Sequence, residues 1–175
     1  MRPLAIVCAI LASAGCARAP DPAAPPPQRP PLVAAEPAMA MGAFVKMSDP
    51  NAGDYIAGDV LPNDPGAPWR WTGRRPELRF NLPTGGDWVF FAELALAGDT
   101  LEQTGPVTVS YFINGHILQI QRYAEPGEIH FERAVAPDWL HAGVNSVAIE
   151  PDRVYIAPDD GVALGLILKS AGFVR

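Results

Sequence analysis

Catalysis by this chain would have to draw on His116, His130 and His141, on serines such as Ser48, Ser110, Ser146 and Ser170, or on a pair among its 19 aspartates and glutamates. None of these serines stands in the Gly-x-Ser-x-Gly turn that exposes a nucleophile. The histidines lack the His-Glu-x-x-His spacing that sets two metal ligands on one helix face. Glycoside hydrolysis needs two carboxyl groups roughly 5–9.5 Å apart, a separation that a sequence does not display. The chain therefore reads as non-catalytic. Asp49-Pro50-Asn51-Ala52-Gly53-Asp54 is either an acidic turn or a calcium loop. It lacks the EF-hand order and its closing glutamate, so no metal and no cofactor is expected.

The aromatic and charged residues suit a different chemistry. A ligand with an apolar C–H face and a hydroxyl-bearing edge is held by aromatic platforms with a few polar side chains around them. Trp69, Trp71, Trp88, Trp139 and Tyr155 are the available platforms. In Trp69-Arg70-Trp71 the indoles fall on one strand face and the arginine on the other. A tryptophan is by default a packing residue because of the area it buries, and Trp139 after Pro137 reads as a core plug. Arg74 and Arg75, directly after Gly73, suit an exposed polar rim, and Asp159 and Asp160 suit a loop near the end. The candidate binding residues are thus Trp69, Arg74, Arg75, Tyr155, Asp159 and Asp160.

The elements that must position them are strands. From Met41 onward the apolar runs are short, β-branched or aromatic, and separated by turn residues, the pattern of an all-β sandwich. Strands are expected over 43–47, 55–60, 69–72, 77–82, 88–96, 107–113, 116–122, 128–134, 146–150 and 163–170. Val107, Val109, Tyr111 and Ile113 alternate onto one face. Asn114-Gly115 is then the two-residue hairpin signal that places both residues at positive φ. Pro126-Gly127 turns the chain again, and Pro137-Asp138-Trp139-Leu140 suits a single helical turn.

Upstream, the chain opens with one positive charge at Arg2 and an apolar run from Leu4 to about Ala14, the layout of a secretory leader. The run is too short for a membrane-spanning helix. Ser13-Ala14-Gly15-Cys16 resembles the bacterial lipoprotein signal, with Ser13 where a leucine is usual. The resemblance implies cleavage after residue 15 and a lipid on Cys16. Ala17 in place of aspartate implies sorting to the outer membrane of a Gram-negative bacterium. Residues 17–40 carry closely spaced prolines and alanines, the composition of a semi-rigid spacer. The expected organisation is a leader over 1–15, a lipidated Cys16 and tether over 16–40, and one domain over 41–175. The only cysteines are Cys8 and Cys16, so the domain has no disulfide and must be held by burial. A net charge of −6 argues against nucleic acid as a partner.

Within the domain, Val109-Ser110-Tyr111-Phe112-Ile113-Asn114-Gly115 and Gly127-Glu128-Ile129-His130-Phe131 resemble the galactose-binding-like jelly roll of carbohydrate-binding modules. Pro137-Asp138-Trp139-Leu140-His141-Ala142-Gly143-Val144-Asn145-Ser146-Val147-Ala148-Ile149-Glu150 extends the resemblance. Pro68-Trp69-Arg70-Trp71-Thr72-Gly73 and Glu77-Leu78-Arg79-Phe80 are similar to a segment of such modules in bacterial polysaccharide proteins. The ending Pro158-Asp159-Asp160, then Leu164-Gly165-Leu166, follows their pattern, except that Val162 or Ala163 stands where an arginine is usual. The resemblance implies a jelly-roll β-sandwich, Trp71 packed in the core, and a role in binding, export or assembly of surface polysaccharide. Two other readings stay open: an accessory module that contacts another envelope protein and no sugar, and a hydrolase whose site the sequence hides.

Overall fold

The alternation over 107–113 becomes a strand whose every second side chain is sealed. Val107, Val109, Tyr111 and Ile113 are each at most 1% exposed, while Thr108, Ser110 and Phe112 face outward. The computed structural model describes residues 41–62 and 66–175; the leader and tether expected over 1–40 lie outside the described residues. The described strands are β1 (Phe44–Lys46), β2 (Ile56–Val60), β3 (Arg70–Leu82), β4 (Val89–Leu96), β5 (Val107–Ile113) and β6 (His116–Tyr123). They continue with β7 (Gly127–Ala134), β8 (Gly143–Pro151), β9 (Tyr155–Ile156), β10 (Ala163–Leu164) and β11 (Ile167–Val174). Two short helices, α1 (Ala52–Tyr55) and α2 (Gly98–Thr104), and a 3-10 turn at Pro137–Trp139 complete the set.

All pairings are antiparallel, and the strands form a β-sandwich of the jelly-roll class. One layer runs β1-β11-β4-β7 and the other β2-β3-β8-β5-β6. Their inner faces meet through aromatic contacts. Phe80 and Phe90 each lie 5.6 Å from Phe173, and the Tyr111 ring stacks on Phe131 at 3.7 Å. Tyr111 and Tyr123 share a hydroxyl–hydroxyl hydrogen bond of 2.9 Å. Burial pushes both phenols above their ordinary range, Tyr111 most, so they pair as neutral groups.

The Asn114-Gly115 hairpin forms as expected, with φ of 48° and 83°. Its asparagine does more than tolerate the turn. Nδ2 donates to the Trp139 carbonyl at 2.7 Å and to Asn145 Oδ1 at 2.8 Å, and Oδ1 accepts from the Ser146 N–H at 2.8 Å.

Three local expectations change. Segments 69–72 and 77–82 belong to one strand, β3, which passes from one layer to the other. Its start pairs with β11, as Trp71 opposite Ile167, and its end pairs with β8, as Phe80 opposite Asn145. The pairing of β2 with β3 is irregular between Gly58 and Val60. There Asp59 adopts φ 54°, and its carboxylate accepts the Arg75 N–H at 2.5 Å. A side chain thus stands in for the missing ladder bond. Segment 163–170 divides at Gly165, where a Cβ would lie 2.4 Å from the Gly73 carbonyl oxygen. That close approach lets the β9–β10 ribbon dock on β3 through the bond from Gly165 N–H to Thr72 O. Finally, α2 was not expected. It has seven residues and one buried side chain, Thr100, too little for a readable apolar stripe.

Candidate functional site

The start of β3 is set by its register with β11. Arg70 lies level with Leu168, which is fully buried, and Trp71 lies level with the partly exposed Ile167. Side chains alternate along a strand, so Arg70 turns toward the interior and Trp71 turns out. This reverses the packing that the family resemblance implied for Trp71. The indole is half-buried on the outer side of the β11 layer, not sealed in the core. Trp69, also half-buried, meets it edge to face with ring centroids 6.1 Å apart. Arg70 Nε is buried and has no hydrogen-bond partner among the described residues.

The same outward row continues from Trp71 and Ile167 through Ala95 to Glu128. Lys169 Nζ donates to both carboxylate oxygens of Glu128, at 2.6 and 2.7 Å. The result is an aromatic pair on one side of a patch and a paired ammonium and carboxylate on the other. Such a surface offers flat apolar area to a C–H face and charge-bearing donors and acceptors to hydroxyls.

The other sequence-derived candidates lie elsewhere. Arg75 sits on the outer face of the β3 layer, its guanidinium 4.8 Å over the Phe112 ring. Nε pairs with Glu77 at 3.2 Å and Nη1 with Glu150. These contacts tie β3 to β8 and β5, so Arg75 serves as a cross-strand clamp. Arg74 is exposed next to it. Tyr155 lies opposite Leu164 in the β9–β10 ribbon, and Asp159 and Asp160 are exposed in its loop. Asp160 Oδ1 accepts the Val162 N–H at 3.0 Å and so closes its own turn. Among the described residues no hydrogen bond or ion pair joins any two of the six candidates.

Sequence reasoning missed Trp71, Glu128 and Lys169 as members of one patch. Local alternation says that Trp69 and Trp71 share a face, but only long-range register says which face it is.

A cleft of about 250 Å³ lies at the far end of β3 between Leu82, Gly85, Gly86, Trp88, Leu140 and His141. Its tryptophan is spoken for: the indole N–H donates to Gly85 O at 3.2 Å, and the ring lies 4.5 Å beneath Arg175. Trp139 packs partly against the core, near the role expected for it, and stacks on His116 at 5.0 Å. The three histidines occupy separate places. His116 lies on Trp139, His130 has Nδ1 3.9 Å from Glu93, and His141 lines the cleft. Asp49 of the acidic stretch accepts the Lys46 N–H at 2.9 Å, as a turn does.

No family model and no curated protein matches the sequence. Solved structures do. The chain is similar to a family 35 carbohydrate-binding module from Clostridium thermocellum, with TM-score 0.47 and 13% identity over 77% of this chain and 99% of that one. It is also similar to the CBM36-1 domain of a multidomain xylanase from the hindgut metagenome of Trinervitermes trinervoides. There the TM-score is 0.44 and the identity 12%, over 75% of this chain and 95% of that one. A third likeness is to an exo-β-1,3-galactanase from Phanerochaete chrysosporium, with TM-score 0.41 and 12% identity. It spans 77% of this chain and 29% of the galactanase. At such identities the likeness concerns fold alone.

Proposed function

We propose that this protein is a lipid-anchored, non-catalytic component of the cell envelope whose β-sandwich binds surface polysaccharide, or helps in its assembly or export. The observation that carries the reading is the outward Trp69–Trp71 pair beside the Lys169–Glu128 ion pair. Two large indoles left partly exposed on the outer side of the sheet cost burial that the core would otherwise gain, and a sugar ring restores it. The anchor in this reading is an acyl group on Cys16, where each buried CH₂ adds about 0.8 kcal/mol. The location is the outer membrane of a Gram-negative bacterium.

The test of binding is a glycan array, followed by titration with intrinsic tryptophan fluorescence as the readout. Trp71→Ala is expected to weaken binding of any glycan found by about tenfold or more, a loss of about 1.4 kcal/mol. Arg75→Ala, on the other face, should leave affinity unchanged. Equal affinity in parent, Trp69→Ala and Trp71→Ala would remove the site, and an empty array would remove the reading. For the anchor, the parent should enter the detergent-rich phase on phase separation and Cys16→Ala should stay aqueous; equal partitioning would refute acylation.

A second reading, a module that contacts another envelope protein, is favoured by one observation. Ile117 and Ile120 are 54% and 53% exposed on β6, away from the tryptophans. A single stoichiometric partner recovered from solubilised envelope, together with an empty array, would select it.

A further inference from the structure

Asn114-Gly115 is the one Asn-Gly pair in the chain, and it carries a chemistry besides its turn. A glycine nitrogen has no side chain crowding it, so it can attack the carboxamide carbon of the asparagine before it. Gly115 lies exposed at the hairpin tip, and a Cβ there would meet nothing within 4 Å. The nucleophile is therefore open to solvent and to base. The carboxamide is not. Asn114 Nδ2 donates to Trp139 O at 2.7 Å and to Asn145 Oδ1 at 2.8 Å. Oδ1 accepts from the Ser146 N–H at 2.8 Å and from the Ser146 hydroxyl at 3.3 Å. These bonds hold the side chain against the 139–146 segment. To meet the Gly115 nitrogen it must turn about its own Cα–Cβ bond and release them.

We infer that Asn114 is a site of spontaneous deamidation, closed while the bridge to 139–146 is made and converted when that bridge opens. In the step, the Gly115 nitrogen loses its proton to solvent base and attacks Asn114 Cγ. A bond from Cγ to that nitrogen forms, the Cγ–Nδ2 bond breaks, and Nδ2 leaves as ammonia with a proton from water. Water then opens the cyclic imide at either carbonyl, leaving aspartate or isoaspartate at position 114.

The product cannot rebuild the bridge. An ionised carboxylate only accepts hydrogen bonds, yet Trp139 O and Asn145 Oδ1 are themselves acceptors. Asn145 is not free to turn its amide round, because its Nδ2 donates to His141 O and Gly143 O. Isoaspartate also adds a backbone carbon to a two-residue turn whose length sets the register of β5 against β6. Each opening that is caught is thus recorded permanently, and the device operates independently of sugar binding.

The test incubates the full-length chain in mildly alkaline buffer, with and without denaturing guanidinium. Mass spectrometry then follows conversion in the peptide that spans Asn114. The native chain is expected to convert about tenfold more slowly than the unfolded one, or slower still, because local opening limits the rate. Asn145→Ser removes one anchor of the bridge and should raise the native rate about threefold or more. Val45→Ala, which loosens the buried side of β1 in the other layer, should leave it near the parental value. Asn114→Asp copies one product directly, and should keep β-type circular dichroism while hydrogen exchange across 139–146 quickens. Equal rates in native and unfolded parent would overturn the inference. So would an Asn145→Ser rate no higher than that of Val45→Ala, or parental exchange across 139–146 in Asn114→Asp, which decides the matter if Asn145→Ser does not fold.

Discussion

Asn145→Leu is expected to cost about 4 kcal/mol and to lower the melting temperature by roughly 10–20 °C. Asn145 is fully buried, and every polar atom of its side chain is used. Nδ2 donates to His141 O at 2.8 Å and Gly143 O at 3.0 Å; Oδ1 accepts from Asn114 Nδ2 at 2.8 Å and from the His141 N–H at 3.1 Å. A leucine of similar volume cannot replace any of these bonds, and it leaves several part-buried groups without partners. Each such group costs about 1–3 kcal/mol, offset in part where water can enter.

The companion change, Asn114→Gly, separates backbone from side chain, because glycine accepts the same positive φ without strain. On sequence grounds alone it should be nearly neutral. The structure reverses that expectation, because the Asn114 amide bridges the Trp139 and Asn145 segments. A loss of about 2 kcal/mol is expected. Denaturant titration of both variants decides the matter. Unchanged midpoints would mean that the bridge between the hairpin and the 139–146 segment contributes nothing.

The second large effect is expected at Gly172. In β11 this residue lies between Phe44 of β1 and Phe91 of β4. A Cβ there would stand 2.4 Å from the Ala43 carbonyl oxygen and 2.5 Å from Phe44 Cα. Both are backbone atoms, so no rotamer change relieves the clash, and β1 must move off the sheet. The Phe44 and Phe91 rings, 6.2 Å apart, flank the glycine and would lose their packing with it. Gly172→Val should therefore cost about 4 kcal/mol, at the upper end for a single substitution. Hydrogen exchange of the β1 amides should rise before that of β5 or β8. Retention of the parental midpoint would show that β1 is not seated on β11 as described.

Much of the fold is legible locally. The period-two pattern of β5, the Asn-Gly turn and the apolar run of β4 each carry their signal within a few residues. What is not legible depends on partners far along the chain. Residues 69–72 and 77–82 look like two strands because Gly73 and Pro76 interrupt the pattern. They become one strand because Asp59 supplies an acceptor to Arg75 and β8 supplies a ladder. Gly165 looks like an ordinary strand residue until Gly73 is placed against it.

The candidate site follows the same rule. Trp69 is recoverable as an aromatic platform, whereas the outward turn of Trp71 depends on Ile167, and the nearby ion pair depends on β7. Arg75 was recognisable as exposed but not as a clamp, because Glu150 and Phe112 come from two other strands. Phe112 did carry a readable hint: it is an aromatic residue in the outward register of a strand whose other register is already full.

The placement of β11 has a consequence in time. It lies between β1 and β4 in the middle of its layer, and its first residues also pair with β3. Until residues 167–174 have been made, β1 and β4 lack the strand that joins them, and within their own layer the inner side chains Phe90 and Leu94 have only β7 beside them. Chains emerge at about 5–20 residues per second, slowly enough for β3, β8, β5 and β6 to associate first. The second layer thus waits as a template, and the fold closes in one late step when its middle strand arrives. Contacts between segments so distant in sequence place the domain among the slower folders, in the range of milliseconds to seconds.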